Sequence, residues 1–263
     1  MAVEPVDGHD VSRVRADNPG PLTLDGSNSW VVGRSPCWVV DPGPQIEGHL
    51  TELCDEVERR GGLGGIALTH RHPDHAEAAP DLRERAGGAP VASATDAGDV
   101  VLADGQAFGP LTAVPVPGHS PDHLAFVTGR VCFTGDAVLG QGSVFIAPEP
   151  GAMSGYLDGL RRLRGMGLQL LCPGHGPPVW DADAKLDEYL EHRLEREQRL
   201  VAALERGLRE QDDLLDEAWS DVPSALREVA ALTLQAHLHK LGEEGRLPSG
   251  VAPSSPRGPA PLV

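Results

Sequence analysis

Hydrophobic and polar positions fall into two textures along the chain. From about residue 22 to 180, short apolar runs bounded by Gly and Pro recur at close intervals, the pattern of buried strands. Trp30-Val31-Val32 and Cys37-Trp38-Val39-Val40 open the series, and 66–69, 90–94, 111–116, 124–128, 131–134 and 168–172 continue it. Between them, 49–60 carries Leu50, Leu53, Cys54 and Val57 at i, i+3, i+4, i+7, which predicts an amphipathic helix. A second, basic helix is expected at 157–164. Nearly every strand ends in a turn bearing His or Asp.

Beyond residue 181 the apolar positions widen to helical spacing. Asp183 is placed to cap a long helix running to about Arg209, with the stripe Leu186, Leu190, Leu194, Val201, Leu204 and Leu208. Shorter helices are expected at 212–219 and 224–241. The turn at 242–247 allows one short strand, so the module reads as winged-helix-like. Residues 248–263 hold five prolines in 16 positions and little to bury, which predicts a disordered tail. The expected division is a catalytic unit at 1–180, a helical or winged-helix-like unit at 181–247, and the tail.

Composition narrows the functional classes. With 22 Lys+Arg against 39 Asp+Glu, the formal charge of the 263 residues is −17. Only Lys185 and Lys240 are lysines, a bias that reads as genomic. The charge opposes DNA, an anionic membrane or a long nucleic acid gripped across the surface. No apolar run is long enough to span a bilayer, and MAVEPVDGHD has no apolar secretory core. Cys37, Cys54, Cys132 and Cys172 form no CxxC pair, so they are expected as reduced thiols of a cytoplasmic protein. There is no GxSxG, HExxH or P-loop signature.

The chemistry is concentrated in His70-Arg71-His72-Pro73-Asp74-His75, directly after a strand. Four donors in six residues fit neither a strand face nor a helix face. They need an irregular loop, which Pro73 favours. His119 in Pro117-Gly118-His119-Ser120, Asp136 in Gly135-Asp136, and His175 in Pro173-Gly174-His175-Gly176 follow later strands. Imidazole and carboxylate at this density suit zinc, with iron or manganese as alternatives. His123 and Asp41, in Val40-Asp41-Pro42-Gly43, are candidate supports behind the ligands or ordinary polar turn residues. His9, His49, His192, His237 and His239 read as surface or helix residues. Arg161, Arg162 and Arg164 read as a solvated helix face.

The ordered set HxHxDH…H…D…H resembles the metallo-β-lactamase superfamily over roughly residues 20–180. The resemblance implies an αββα sandwich in the α/β class, with a dinuclear metal site along one edge. By position it implies His70, His72 and His119 at one metal, Asp74, His75 and His175 at the other, and Asp136 bridging. It implies two zinc ions activating a shared hydroxide, with Asp74 also able to take a proton. Asp136 stands where the commonest zinc β-lactamases carry a cysteine, which argues against a true β-lactamase. The segments 18–29, 135–145, 185–200 and 237–247 are similar to the β-lactamase-like protein 2 family, so the resemblance also implies a bacterial relative. Mitochondrial members of that family cleave single-stranded RNA, and related fungal enzymes act as thioesterases.

The resulting expectation is a metal-dependent hydrolase of an ester, thioester or lactone. Single-stranded RNA cleavage at the same site is the alternative, and a non-catalytic binding protein is the alternative of another class. Ser143, Phe145 and Tyr156 are candidate walls of a substrate pocket. The partner expected is a small molecule, and the chain a monomer or homodimer.

Overall fold

A computed structural model of the chain describes residues 3–96 and 98–254. Its first sheet takes strands in chain order: β1 (Val3–Pro5), β2 (Val11–Arg15), β3 (Asn28–Val32) and β4 (Cys37–Val40). Helix α1 (Glu47–Arg59) leads to β5 (Leu63–Ala67), and the short helices α2 (Pro73–Ala76) and α3 (Ala79–Arg85) lead to β6 (Val91–Ser93) and β7 (Val100–Val101). The strands β1 to β4 pair antiparallel, and β4 to β7 pair parallel. The second sheet contains β8 (Ala107–Phe108), β9 (Leu111–Pro115), β10 (Leu124–Thr128), β11 (Val131–Gly135) and, after helix α4 (Ala152–Arg164), β12 (Leu170–Pro173). Phe126 lies opposite Phe133 in the β10–β11 ladder.

Side-chain alternation builds the layers, because successive residues of a strand face opposite sides. Trp30, Val40 and Ala67 point between the sheets and pack with Phe126 and Phe133. Their neighbours Val31, Val39 and Ile66 point outward onto Leu50, Leu53 and Leu82 of the first helical layer. On the other side Ala125, Val127 and Cys132 meet Leu157, Leu160 and Leu163 of α4. The result is the expected αββα sandwich. Phe126 and Phe133 are fully buried, and truncating either to Ala costs roughly 3–5 kcal/mol.

Strands β1, β2, β7 and β8 were not foreseen. In β2, Ser12 and Arg13 are buried polar residues that break the apolar signal. Both are satisfied: Arg60 Nη2 donates to Ser12 Oγ at 2.7 Å and Arg13 Nη1 to Gly176 O at 3.2 Å.

The chain ends in helices α5 (Ala182–Glu205), α6 (Gln211–Ala218) and, after a 3-10 turn Ser224–Leu226, α7 (Arg227–Glu243). Asp181, two residues before the expected position, caps α5 by accepting the Ala184 N–H at 3.0 Å. Leu186 and Tyr189 join the core under α4, whereas Leu200 and Leu204 pack with Leu215, Trp219, Leu234 and Leu238. The buried face of α5 includes Arg193, Arg196 and Glu197, and Leu194 of the expected stripe is exposed. Among the described residues of 242–247 no strand forms: the segment turns after α7 and Leu247 packs on the helical core, so the wing is not there. His49 and His237 lie on helices but are fully buried rather than at the surface. Of the expected disordered tail, 248–254 is described. Val251 packs on the helical core and the Ser254 N–H bonds Gln235 Oε1 at 2.8 Å. Residues 255–263 lie outside the described residues. Among those described, no helix is long and apolar enough to cross a membrane.

Candidate metal centre

The seven singled-out ligands meet at one edge of the sandwich, where strand ends release the chain into loops. After β5 the chain runs through Thr69 and His70 to His72. Proline at 73 disfavours a helical residue before it, and His72 is accordingly extended (φ −61°, ψ 142°). Pro73 then starts α2, needing no N–H partner. One turn carries Asp74 and His75 back inward, with the His75 N–H on His72 O at 3.0 Å. His119 follows β9, Asp136 follows β11 and His175 follows β12.

Two glycines permit the approach of these loops. A Cβ on Gly174 would sit 2.5 Å from both Asp136 Oδ1 and His75 Cε1. Gly135 adopts φ +46°, and a Cβ there would lie 2.5 Å from Thr69 Oγ1.

All seven side chains are buried. His72 Nδ1 faces His70 Nε2 at 3.0 Å and His119 Nε2 at 2.9 Å. His175 Nε2 lies 3.2 Å from Asp74 Oδ2 and 3.4 Å from Asp136 Oδ2. His75 Nε2 lies 3.4 Å from Asp74 Oδ2 and 3.4 Å from Asp136 Oδ1. Asp136 Oδ2 is also 3.6 Å from His119 Nε2, so this carboxylate touches both groups of ligands. Donor atoms of His70, His72 and His119 fall within 4.8 Å of one another, as do those of Asp74, His75 and His175 and those of His70, His75 and Asp136.

A set of supporting contacts fixes which ring nitrogen faces inward. Asp41 accepts the Thr69 N–H and the Thr69 hydroxyl, each at 2.7 Å, and His75 Nδ1–H at 2.9 Å. With its proton on Asp41, Thr69 Oγ1 accepts from His70 Nδ1 at 3.0 Å. His175 Nδ1 donates to Gly26 O at 3.3 Å. Each of these bonds leaves Nε2 to the interior, the arrangement that metal-binding histidines use. Asp41 and His123 therefore sit behind the ligands. His123 Nε2 accepts the Asp136 N–H at 3.1 Å, and its ring stacks on His70 at 4.9 Å.

Sequence reasoning passed over Thr69, Ser27 and Asn28. Ser27 Oγ donates to Asp74 Oδ2 at 3.1 Å, and Asn28 Nδ2 holds the His175 loop through Pro173 O and Gly176 O. Their signal was a run of small polar residues entering an otherwise apolar strand.

The residues present fit metal ions. Asp74 Oδ1, Asp136 Oδ1, His75 Nε2 and His175 Nε2 are buried without a hydrogen-bond partner, an arrangement that is costly unless a cation satisfies it. Burial opposes charge on His175, but Asp136 and Asp74 raise its pKa to about 9. His75 is likewise held well above the ordinary value, against burial, by Asp74, Asp136 and Asp41. Burial pushes His119 down to about 4 and His70 well below the ordinary value. The carboxylate side thus demands positive charge, and the His70–His72–His119 side offers neutral imidazoles.

Beside the ligands is a cavity of about 170 Å³ lined by Leu22, Leu24, His119, Asp136, Ser143 and Phe145. The Phe145 ring lies 4.5 Å from that of His119. Of the candidate pocket residues, Ser143 and Phe145 line this cavity. Tyr156 does not: it is fully buried in the core under α4, and its hydroxyl donates to Ala137 O at 2.7 Å. Arg161, Arg162 and Arg164 pair with Asp158, Asp104 and Asp187, so this helix face presents no free basic track.

Comparison with known proteins agrees with this geometry. The family model of the metallo-beta-lactamase superfamily matches residues 22–101 and 93–175. The chain belongs to that superfamily. It is 34% identical over 205 residues to lactamase-like protein nscB of Neosartorya fischeri, covering 74% of this chain but only 61% of the relative's length. It is 27% identical to the beta-lactamase-like protein 2 homolog of Caenorhabditis elegans, over 92% of this chain and 88% of that one. The fold is similar to a beta-lactamase domain protein from Burkholderia ambifaria, with TM-score 0.76, 21% identity and coverage of 92% and 88%. TTHA1623, crystallised in a di-iron-bound form, superposes with TM-score 0.50 and 28% identity over 63% of this chain and 93% of that one.

Proposed function

We propose that the protein is a hydrolase that holds two divalent ions, zinc foremost, and cleaves an ester, thioester or lactone of a small molecule. One observation carries this reading: seven buried donors from four loop segments converge with unsatisfied atoms facing inward. Ions bound there would lower the pKa of a shared water and polarise the scissile carbonyl. His70, His72 and His119 would hold one ion, Asp74, His75 and His175 the other, and Asp136 both. Asp74 would receive the proton lost by the attacking water. Phe145 and the leucines at 22 and 24 would exclude bulk water. Iron remains an alternative occupant, supported by the likeness to the di-iron protein.

Single-stranded RNA is the second reading, supported by the similarity to a beta-lactamase-like protein 2 homolog. The charge of −17 and the aspartate-paired arginines of α4 work against it.

The test is a parallel assay of an acyl thioester, a lactone and labelled single-stranded RNA, with Asp136→Ala as blank. The expected result is thioester or lactone hydrolysis that falls more than about a hundredfold in the variant, beyond the loss typical of an outer-shell partner. Turnover equal in wild type and variant would contradict the assignment. RNA cleavage alone, lost in Asp136→Ala, would favour the second reading.

A further inference from the structure

The cavity beside the ligands does not end at Phe145. A second space of about 340 Å³ shares Gly142, Ser143, Val144, Phe145, Leu226 and Val229 with it, so the two form one trough. The far space is bounded by Arg193, Arg196 and Trp219. Its middle is apolar, and its far end is cationic.

Arg193 is the unusual residue. It is 2% exposed, and no carboxylate lies within 4.0 Å of it among the described residues. Its Nη2 donates to Ser143 Oγ at 2.9 Å and to Val144 O, its guanidinium lies over the Tyr156 ring at 5.6 Å, and its Nε has no partner. A buried guanidinium without a counter-charge is unfavourable in the absence of a ligand. Arg196 beside it is paired with Asp221 through two hydrogen bonds, at 2.6 and 2.8 Å, so its charge is already met. His192, at the same rim, is driven by burial to a pKa of about 4, so at neutral pH it neither adds nor repels charge.

We infer that the Arg193 end of the trough is an oxyanion subsite, and that the substrate is an apolar acyl compound with a carboxylate or phosphate at the end remote from the scissile bond. A guanidinium suits either oxyanion, and with Nη2 turned to Ser143 and Val144 the donors left for it are on Nε and Nη1. The apolar walls between the ends hold the body of the molecule. This rests on the hydrolase reading for the scissile end alone, since binding at Arg193 needs no turnover.

The test uses calorimetry on the metal-replete protein with 4-phenylbutyrate, 4-phenylbutyl phosphate and neutral 4-phenylbutanamide, while Trp219 fluorescence is followed. At least one anion binds tenfold or more tighter than the amide, and its binding changes an emission that Trp219→Phe removes. The acid and phosphate arms tell which oxyanion is preferred. Arg193→Gln abolishes the preference for the anion while leaving amide affinity within about twofold. Equal affinity for acid, phosphate and amide overturns the proposal. So does an anion preference that leaves Trp219 unaffected, which would place the anion at the metal ligands instead. Neither reading needs Arg193→Gln, so both hold even where that variant does not fold. A protein that hydrolyses nothing can still pass this test, and an active hydrolase can fail it.

Discussion

Asp41 touches no substrate cavity, yet three ligand-loop hydrogen bonds end on its carboxylate. Its placement follows from Val40-Asp41-Pro42: a buried strand ends, and Asp41 adopts φ 52°, a left-handed conformation that Asp tolerates better than most residues. Replacing it by Asn keeps the shape but offers an amide where His75 Nδ1–H and the Thr69 hydroxyl need an acceptor. Asp41→Asn is expected to weaken metal binding about 10- to 100-fold, as read by chelator competition. Unchanged affinity would mean that Asp41 is only a turn residue. At this scale the seven candidate ligands were legible because His and Asp are conspicuous between Gly and Pro. Thr69 and Asn28 were not, because one hydroxyl or amide inside a strand looks like any other.

Helix α5 shows what periodicity misses. Its existence, approximate length and most of its packed stripe follow from sequence, but the charged residues it buries do not. Leu194 is exposed while Arg193, Arg196 and Glu197 are buried, because each charge finds polar partners that a hydropathy pattern does not register. Glu197 accepts from Arg246 at 2.7 Å and is ion-paired with Lys240 at 2.8 Å, with His237 at 3.6 Å. Burial opposes its charge, yet these partners hold its pKa near 2, below the ordinary 4.5. A depressed carboxylate stabilises the fold fully above its unfolded value, and that contribution is lost as pH falls through the folded one. From the size of the shift, about 3 kcal/mol should disappear between pH 4.5 and 2. Glu197→Gln is expected to be less stable at pH 7 and to show a flatter denaturation profile over that window. A profile as steep as wild type would show that Glu197 is not the group responsible. Strands followed the same logic. The apolar β10 was legible to the residue, whereas β2 hides behind Ser12 and Arg13.

For the whole molecule, most strands were readable from their apolar runs, and the sandwich they build was readable from the resemblance carried by the ordered His and Asp set. The missing wing was not readable, since Gly-Glu-Glu-Gly before Arg-Leu serves a hairpin or a helix end equally well. The negative charge bears on partners rather than on fold. A trough that takes one small molecule should be nearly indifferent to salt. Between 50 and 200 mM salt we expect kcat/KM for a neutral thioester to change less than about twofold, whereas a surface gripping many phosphates would lose roughly 10³-fold or more in affinity.

The central claim, that these seven residues form one metal centre, is tested most directly by elemental analysis of protein purified without chelator. The account predicts about two divalent ions per chain in the wild type, with a clear loss in both His75→Ala and Asp136→Ala while circular dichroism stays unchanged. Well under one metal per chain in folded wild-type protein, or full metal content in both variants, would contradict it.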